Sequence, residues 1–158
     1  MFGLTDKSGV ELPESEPNFS KTDAVRSAIG QATHSYAPIQ LSRYVTTVAN
    51  SGTCYDLTLI DKVTDRSGNL LMEKDVNGNV ILDNHAKVRN TVNIANSTWK
   101  AVHNGMYRVV NGSRSSIGSM FSGMKVKIAG KTGTAQQSKL HANHAYFVSY
   151  APYKNPEI

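Results

Sequence analysis

The chain has 158 residues, 39% apolar and 18% charged, enough apolar material for one globular core and too little charge for a disordered segment. Its net charge of +5 comes from scattered lysines and arginines without a cationic run or basic–aromatic interleaving, so nucleic acid is not an expected partner. The lone cysteine, Cys54, excludes an internal disulfide and reads as small buried filler, and neither a signal-peptide pattern nor an apolar run of membrane-spanning length occurs.

Residues 1–20 are punctuated by Gly9, Pro13 and Pro17 and read as loop, with a short helix expected near 22–29. Pro38 opens a stronger helix whose apolar stripe is Ile39, Leu41, Tyr44, Val45, Val48 and Ala49. The Asn50-Ser51-Gly52-Thr53 stretch closes it, as glycine near a helix C-terminus does. The next segment, 55–74, alternates around a Ser67-Gly68-Asn69 turn and predicts a β-hairpin, with a second turn at 77–79.

A longer helix is predicted from Thr91 to about Asn111, with Val92, Ala95, Trp99, Val102, Met106, Val109 and Val110 at three- and four-residue steps. Glycine- and serine-rich residues 113–122 form a connection with room for one helical turn. Two strands follow, over 126–135 and 145–151, separated by a polar loop that carries His141 and His144. Helices segregated from antiparallel strands make the expected class α+β.

The chemistry concentrates in Lys131-Thr132-Gly133-Thr134 on the first of these strands. Alternation puts the hydroxyls of Thr132 and Thr134 on one face, where both can donate to one carboxylate while the Lys131 ammonium adds charge attraction. Gly133 lets a ligand backbone come close, and the N–H of Thr134 is available to a developing oxyanion. A plain surface strand is the competing reading. A phosphate-binding loop is not: its motif needs glycine five residues before Gly130, where this chain has Lys125, and a helix beginning at Lys131. His141 and His144 have metal-like spacing without a third ligand nearby, so neither a metal nor any other cofactor is expected.

The Lys-Thr-Gly-Thr run resembles the third motif of penicillin-binding protein transpeptidases and related serine β-lactamases. Residues 28–53, with Ile-Gly-Gln, then Pro-Ile-Gln-Leu, then Ala-Asn-Ser-Gly-Thr, are similar to a stretch of the class B penicillin-binding proteins. So are the Trp99–Val110 segment with its Gly105-Met106 pair, the strand 144–152, and residues 2–14, which resemble the segment after that family's second motif. The resemblance runs nearly end to end and in the family's order.

It implies acyl transfer: a serine of a Ser-x-x-Lys motif attacks a D-Ala-D-Ala peptide of peptidoglycan, the acyl group passes to an amine of a neighbouring strand, and β-lactams trap the same serine. Lys131 would then carry the electrostatic role of the third motif, and Thr132 and Thr134 would hold the carboxylate. The Thr134 N–H would supply half of the oxyanion hole, Gly133 would permit close approach, and Gln136 would line the groove.

Two local Ser-x-x-Lys matches, Ser97–Lys100 and Ser122–Lys125, lie downstream of where the nucleophile belongs and are rejected, as is Ser67-Gly68-Asn69 as a second motif. The expectation is therefore a piece of a transpeptidase domain, residues 1–158, cut at both ends, with its nucleophile encoded before Phe2 and no activity of its own. Its parent would face the outside of a bacterial cytoplasmic membrane. Its exposed strand edges would pair with the missing part of the domain or with each other. A β-lactam-sensing relative and a non-catalytic binding remnant are the alternatives.

Overall fold

A computed structural model describes residues 2–71, 86–136, 140 and 142–158. In chain order the elements are α1 (Ala24–Ala28), α2 (Pro38–Ala49), β1 (Thr53–Tyr55), β2 (Val88–Thr91), α3 (Asn96–Asn111), a 3-10 turn (Gly118–Phe121), β3 (Ala129–Ala135) and β4 (His144–Tyr150). β1 pairs antiparallel with β2, and β3 antiparallel with β4, with Ala129 opposite Tyr150 and Ala135 opposite His144. The α+β expectation holds.

The second helix starts where the sequence says it should. Pro38 lacks the N–H that a first helical residue would leave unpaired, and the Gln40 side chain accepts the Ala37 N–H at 2.9 Å. Its buried face, however, is not the predicted stripe. Val45, Val48 and Ala49 are buried, but so are Gln40, Arg43 and Thr47, while Ile39 and Leu41 are half-buried and Tyr44 is exposed. Positions 40 and 43 face the loop 3–8, whose carbonyls need donors, and the Thr47 hydroxyl donates to the Arg43 carbonyl at 2.8 Å. Arg43 gives N–H groups to the carbonyls of Gly3, Asp6, Lys7 and Ser8, and Gln40 gives its amide to that of Asp6 at 2.8 Å. A polar face is buried here because the backbone beside it is polar.

Asn50 ends the helix, its side-chain oxygen accepting the N–H groups of Gly52 and Thr53. Gly52 has φ +118°, and a Cβ there would lie 2.5 Å from the Val92 carbonyl oxygen, so only glycine fits this approach of β1 to β2. Cys54 is fully buried beside it, as expected.

Two boundaries move. The predicted helix at 91 begins at Asn96, because Thr91 pairs with Thr53 and the Val92 N–H donates to the Gly52 carbonyl; β-branched Val92 and Ile94 suit this extended backbone. The strand expected from 126 begins at Ala129, the carbonyls of Lys127 and Ile128 being taken by the Tyr153 N–H and the Asn111 amide. The helical turn expected within 113–122 is present as the 3-10 turn.

The hairpin predicted over 55–74 is kept only around its turn, where the Asp65 N–H donates to the Asn69 carbonyl and the Leu71 N–H to that of Val63. Tyr55 pairs with the distant Val88, and what remains of the hairpin is a Thr64–Leu70 bridge around a turn in which Asp65 accepts from the N–H groups of Ser67 and Asn69. Leu59, Ile60, Leu70 and Leu71 stay exposed with no layer against them among the described residues, and a bare two-stranded ribbon is marginal in water. Residues 72–74, the second turn and its following strand lie outside the described residues.

The core lies between α2, α3 and the β3–β4 sheet: Val45 and Ala49, Ala129 and Tyr150, with Met106 and Tyr107 against them. Trp99 packs on Phe2 and His103, and His103 Nε2–H donates to the Val48 carbonyl at 2.7 Å, tying α3 to the C-terminal end of α2.

Burial pushes the Tyr150 hydroxyl up to about 12, and its Oη has no hydrogen-bond partner among the described residues. Unfolded tyrosine ionises near 10, so wild-type stability should hold below pH 10 and fall as pH rises from 10 to 12. Tyr150→Phe should be as stable at pH 7 or more so, by up to about 1 kcal/mol, and should lack that part of the alkaline loss. Urea unfolding at a series of pH values checks this; superimposable profiles for the two proteins would refute it.

Candidate functional site

Lys131, Thr132, Gly133 and Thr134 form the centre of β3, and all four are exposed. Opposite them on β4 stand Val148, Phe147, Tyr146 and Ala145. The second edge of β3 pairs with no strand among the described residues. Its polarity can be read from two hydrogen bonds. The Thr134 carbonyl accepts Gln31 Nε2 at 2.8 Å, and the Thr132 carbonyl accepts Lys131 Nζ at 2.6 Å. Both carbonyls therefore point away from β4. In an extended strand the N–H and C=O of one residue point to the same side, so the Thr134 N–H faces this open edge too.

The edge borders a groove of about 820 Å³. One wall is 131–136 with His144 and Tyr146, so Gln136 lines it along with Lys131, Thr132, Gly133 and Thr134. The other wall is Ile29, Gly30, His34, Ser35 and Tyr36, with Leu41 from the first turn of α2. That second wall escaped the sequence reading. It is held by an Asn18–Ser35 bridge, and His34 Nδ1 accepts the Ser20 N–H at 3.1 Å while its ring stacks on Tyr36 at 5.5 Å. Burial raises the Tyr36 hydroxyl above its ordinary value. The Ser-Tyr pair just ahead of Ala37-Pro38 was the available signal, because an extended residue before proline cannot join the helix and must go somewhere.

Chemically, the groove offers one ammonium, two hydroxyls on alternate residues, and an outward N–H within a single short strand. All of these can donate to one anion, and the outward carbonyls of Thr132 and Thr134 add acceptors along the same edge, so the ligand they suit is an anion with an extended backbone. His144 lies at the groove on an exposed strand end; His141 is outside the described residues.

The rejected serines lie elsewhere. Ser97 and Lys100 are exposed in the first turns of α3, and their neighbour Trp99 would be 3.0 Å from a Cβ at Gly52, beyond the C-terminal end of α2. The groove sits at the N-terminal end of that helix, and twelve helical residues span about 18 Å. The Ser122 hydroxyl donates to the Ser119 carbonyl at 2.9 Å, and Gly123 at φ +87° turns the chain before Lys125. Ser67-Gly68-Asn69 is the exposed turn on Asp65 described above.

Fold and groove together define an antiparallel sheet backed by helices, with an anion-suited ligand site along one strand edge. Residues 1–158 match the family model "Penicillin binding protein transpeptidase domain" throughout, and the chain belongs to that family. It is 32% identical to penicillin-binding protein 2B of Streptococcus pneumoniae over 99% of its length, and 31% identical to penicillin-binding protein 2A of Bacillus subtilis over 99%. These are class B relatives, of which the chain spans 24% and 23%, about a quarter of their length. Among solved structures, pneumococcal penicillin-binding protein 2B superposes with a TM-score of 0.73 at 30% identity, covering 98% of this chain and 26% of that one. The Pseudomonas aeruginosa PBP2, solved in complex with WCK 5153, gives 0.72 at 26%, covering 99% and 35%.

Proposed function

We propose that the chain is the ligand-strand part of a class B peptidoglycan D,D-transpeptidase, and that the complete enzyme's Ser-x-x-Lys nucleophile is encoded before Phe2. The relatives named Peptidoglycan D,D-transpeptidase MrdA, from Haemophilus influenzae and Escherichia coli, support the activity at 29% and 28% identity. The observation that carries the reading is the outward-facing Thr134 peptide on an edge that pairs with no strand among the described residues, next to two hydroxyls and a lysine.

In that enzyme the carboxylate of a D-Ala-D-Ala stem peptide, or of a β-lactam, accepts from the hydroxyls of Thr132 and Thr134 under the field of Lys131. Gly133 lets the peptide lie against β3, and Gln136 borders it. The serine oxygen attacks the carbonyl of the penultimate residue, whose oxygen becomes negative against the Thr134 N–H. The amide bond breaks, the terminal D-alanine leaves with a proton, and an amine from a neighbouring strand takes the acyl group. No cofactor or metal enters this scheme. The enzyme works at the outer face of the cytoplasmic membrane; among the described residues no helix is long and apolar enough to cross one. The outer edge of β4 takes the rest of the domain, or another copy when it is missing, and the β3 edge is left to the ligand.

Titration of the chain with diacetyl-Lys-D-Ala-D-Ala, followed by two-dimensional amide NMR, tests the ligand strand. The free acid should shift Thr132 and Thr134 and bind roughly ten-fold or more tightly than its C-terminal amide, one or two charge-assisted hydrogen bonds being at stake. Thr132→Val/Thr134→Val should erase the difference. Equal binding of acid and amide by the wild type would sink the assignment.

A further inference from the structure

The open edge of β3 is already occupied by the protein's own donors. Two outward carbonyls are available along the Lys-Thr-Gly-Thr run, at Thr132 and Thr134, and each accepts a side-chain nitrogen: Lys131 Nζ and Gln31 Nε2. Lys131 is adjacent in sequence. Gln31 reaches Thr134 across a separation of 103 residues, from the opposite wall of the groove. It is exposed and follows Gly30, whose φ of +71° turns the chain, and its backbone N–H donates to the Arg26 carbonyl at 2.9 Å. The wall is thus anchored independently of the side chain, and the Gln31 amide is free to swing away.

Resting on the function proposed above, we infer that Gln31 is a displaceable self-cap of the peptide site, holding the carbonyl that an incoming substrate must take. The reason lies in ladder geometry. A ligand residue directly opposite Thr134 on an antiparallel edge exchanges both hydrogen bonds with it: its carbonyl oxygen accepts the Thr134 N–H, and its own N–H donates to the Thr134 carbonyl. The residue whose carbonyl sits in the oxyanion position is therefore the one whose N–H competes with Gln31 Nε2. One amide replaces another, so the strand keeps its partner whether or not peptide is bound. In the free protein the cap shields a strand edge that would otherwise template pairing with another chain. In the complex, displaced Gln31 swings to solvent. The cap lowers affinity for any ligand that donates an N–H at this position and leaves ligands without that N–H unaffected, so it discriminates by backbone chemistry.

Gln31→Met, which keeps the volume and removes the donor, tests this in the same 158-residue chain, with Gln31→Ala as a second variant. Diacetyl-Lys-D-Ala-D-Ala should bind both variants about five-fold more tightly than wild type, the competition of one ordinary hydrogen bond. The same peptide methylated on the penultimate amide nitrogen should bind variants and wild type alike. In wild type the Gln31 side-chain amide signals should move together with Thr134 on titration. Equal or weaker binding by the variants, a gain that survives N-methylation, or Gln31 signals that stay fixed while Thr134 shifts would overturn the inference. Equal binding of the free acid and its C-terminal amide would instead overturn the ligand-strand assignment on which it rests.

Discussion

Replacing Arg43 by leucine should lower the unfolding free energy by about 3–4 kcal/mol in urea denaturation, although the change puts an apolar residue at an almost fully buried helix position. The guanidinium donates to four backbone carbonyls of the loop 3–8, at 3.0–3.1 Å for Asp6, Lys7 and Ser8 and more closely still for Gly3. Leucine leaves the carbonyls of Gly3, Lys7 and Ser8 facing the helix without donors, Asp6 keeping the Gln40 amide, and each unsatisfied buried acceptor costs about 1–3 kcal/mol, reduced by whatever water enters. Lysine should not rescue. Its three donors radiate from a point, whereas the planar fork of arginine reaches several carbonyls at once. The loop has a second anchor of its own: Glu14 accepts the Ser8 hydroxyl and the N–H groups of Ser8 and Gly9, which holds its carboxyl below the ordinary range, the Ser8 hydroxyl contributing most. A loss under about 1 kcal/mol for Arg43→Leu would show that the loop relaxes into water and that the clamp is decorative.

That residue also shows where the sequence is hard to read. Apolar periodicity located α2 correctly because Pro38 and Asn50 punctuate its ends and Val45, Val48 and Ala49 do meet the core. It misassigned the rest of the helix face because periodicity assumes that buried means apolar. Gln40, Arg43 and Thr47 are buried against backbone, and a loop's need for donors leaves no periodic trace. The hairpin over 55–74 is reduced to the part around its turn for the complementary reason. Its alternation and its turn are real, but a strand also needs a partner and a covering layer, and Tyr55 found Val88 instead.

The candidate site was legible on one side only. Lys131, Thr132, Gly133 and Thr134 announce themselves by residue type at strand spacing, and both strands are visible in the sequence, while their register comes from the structure. The opposite wall is a loop segment, 29–36, and nothing local says that its glutamine ends on the Thr134 carbonyl. Its placement depends on the short Asn18–Ser35 bridge, the His34–Ser20 hydrogen bond and the entry into α2, which are tertiary facts. The Ser-x-x-Lys matches show the reverse hazard, a motif of letters whose geometry is absent: a nucleophile needs its lysine one helical turn away and both must face the ligand.

A chain that holds the ligand strand of an acyl-serine enzyme without the serine, as proposed above, should not be acylated. Exposure of the purified chain to a fluorescent penicillin, with intact-mass spectrometry before and after, tests it most directly. The expected effect is all or none. Ser97 stands at the far end of α2 from the groove, Ser122 spends its hydroxyl on Ser119, and neither lines the wall that carries Thr132 and Thr134. The mass should stay unchanged and no covalent fluorescence should appear, even where carboxylate ligands shift Thr132 and Thr134. Stoichiometric labelling, with the adduct mapped to Ser97 or Ser122, would contradict the proposal.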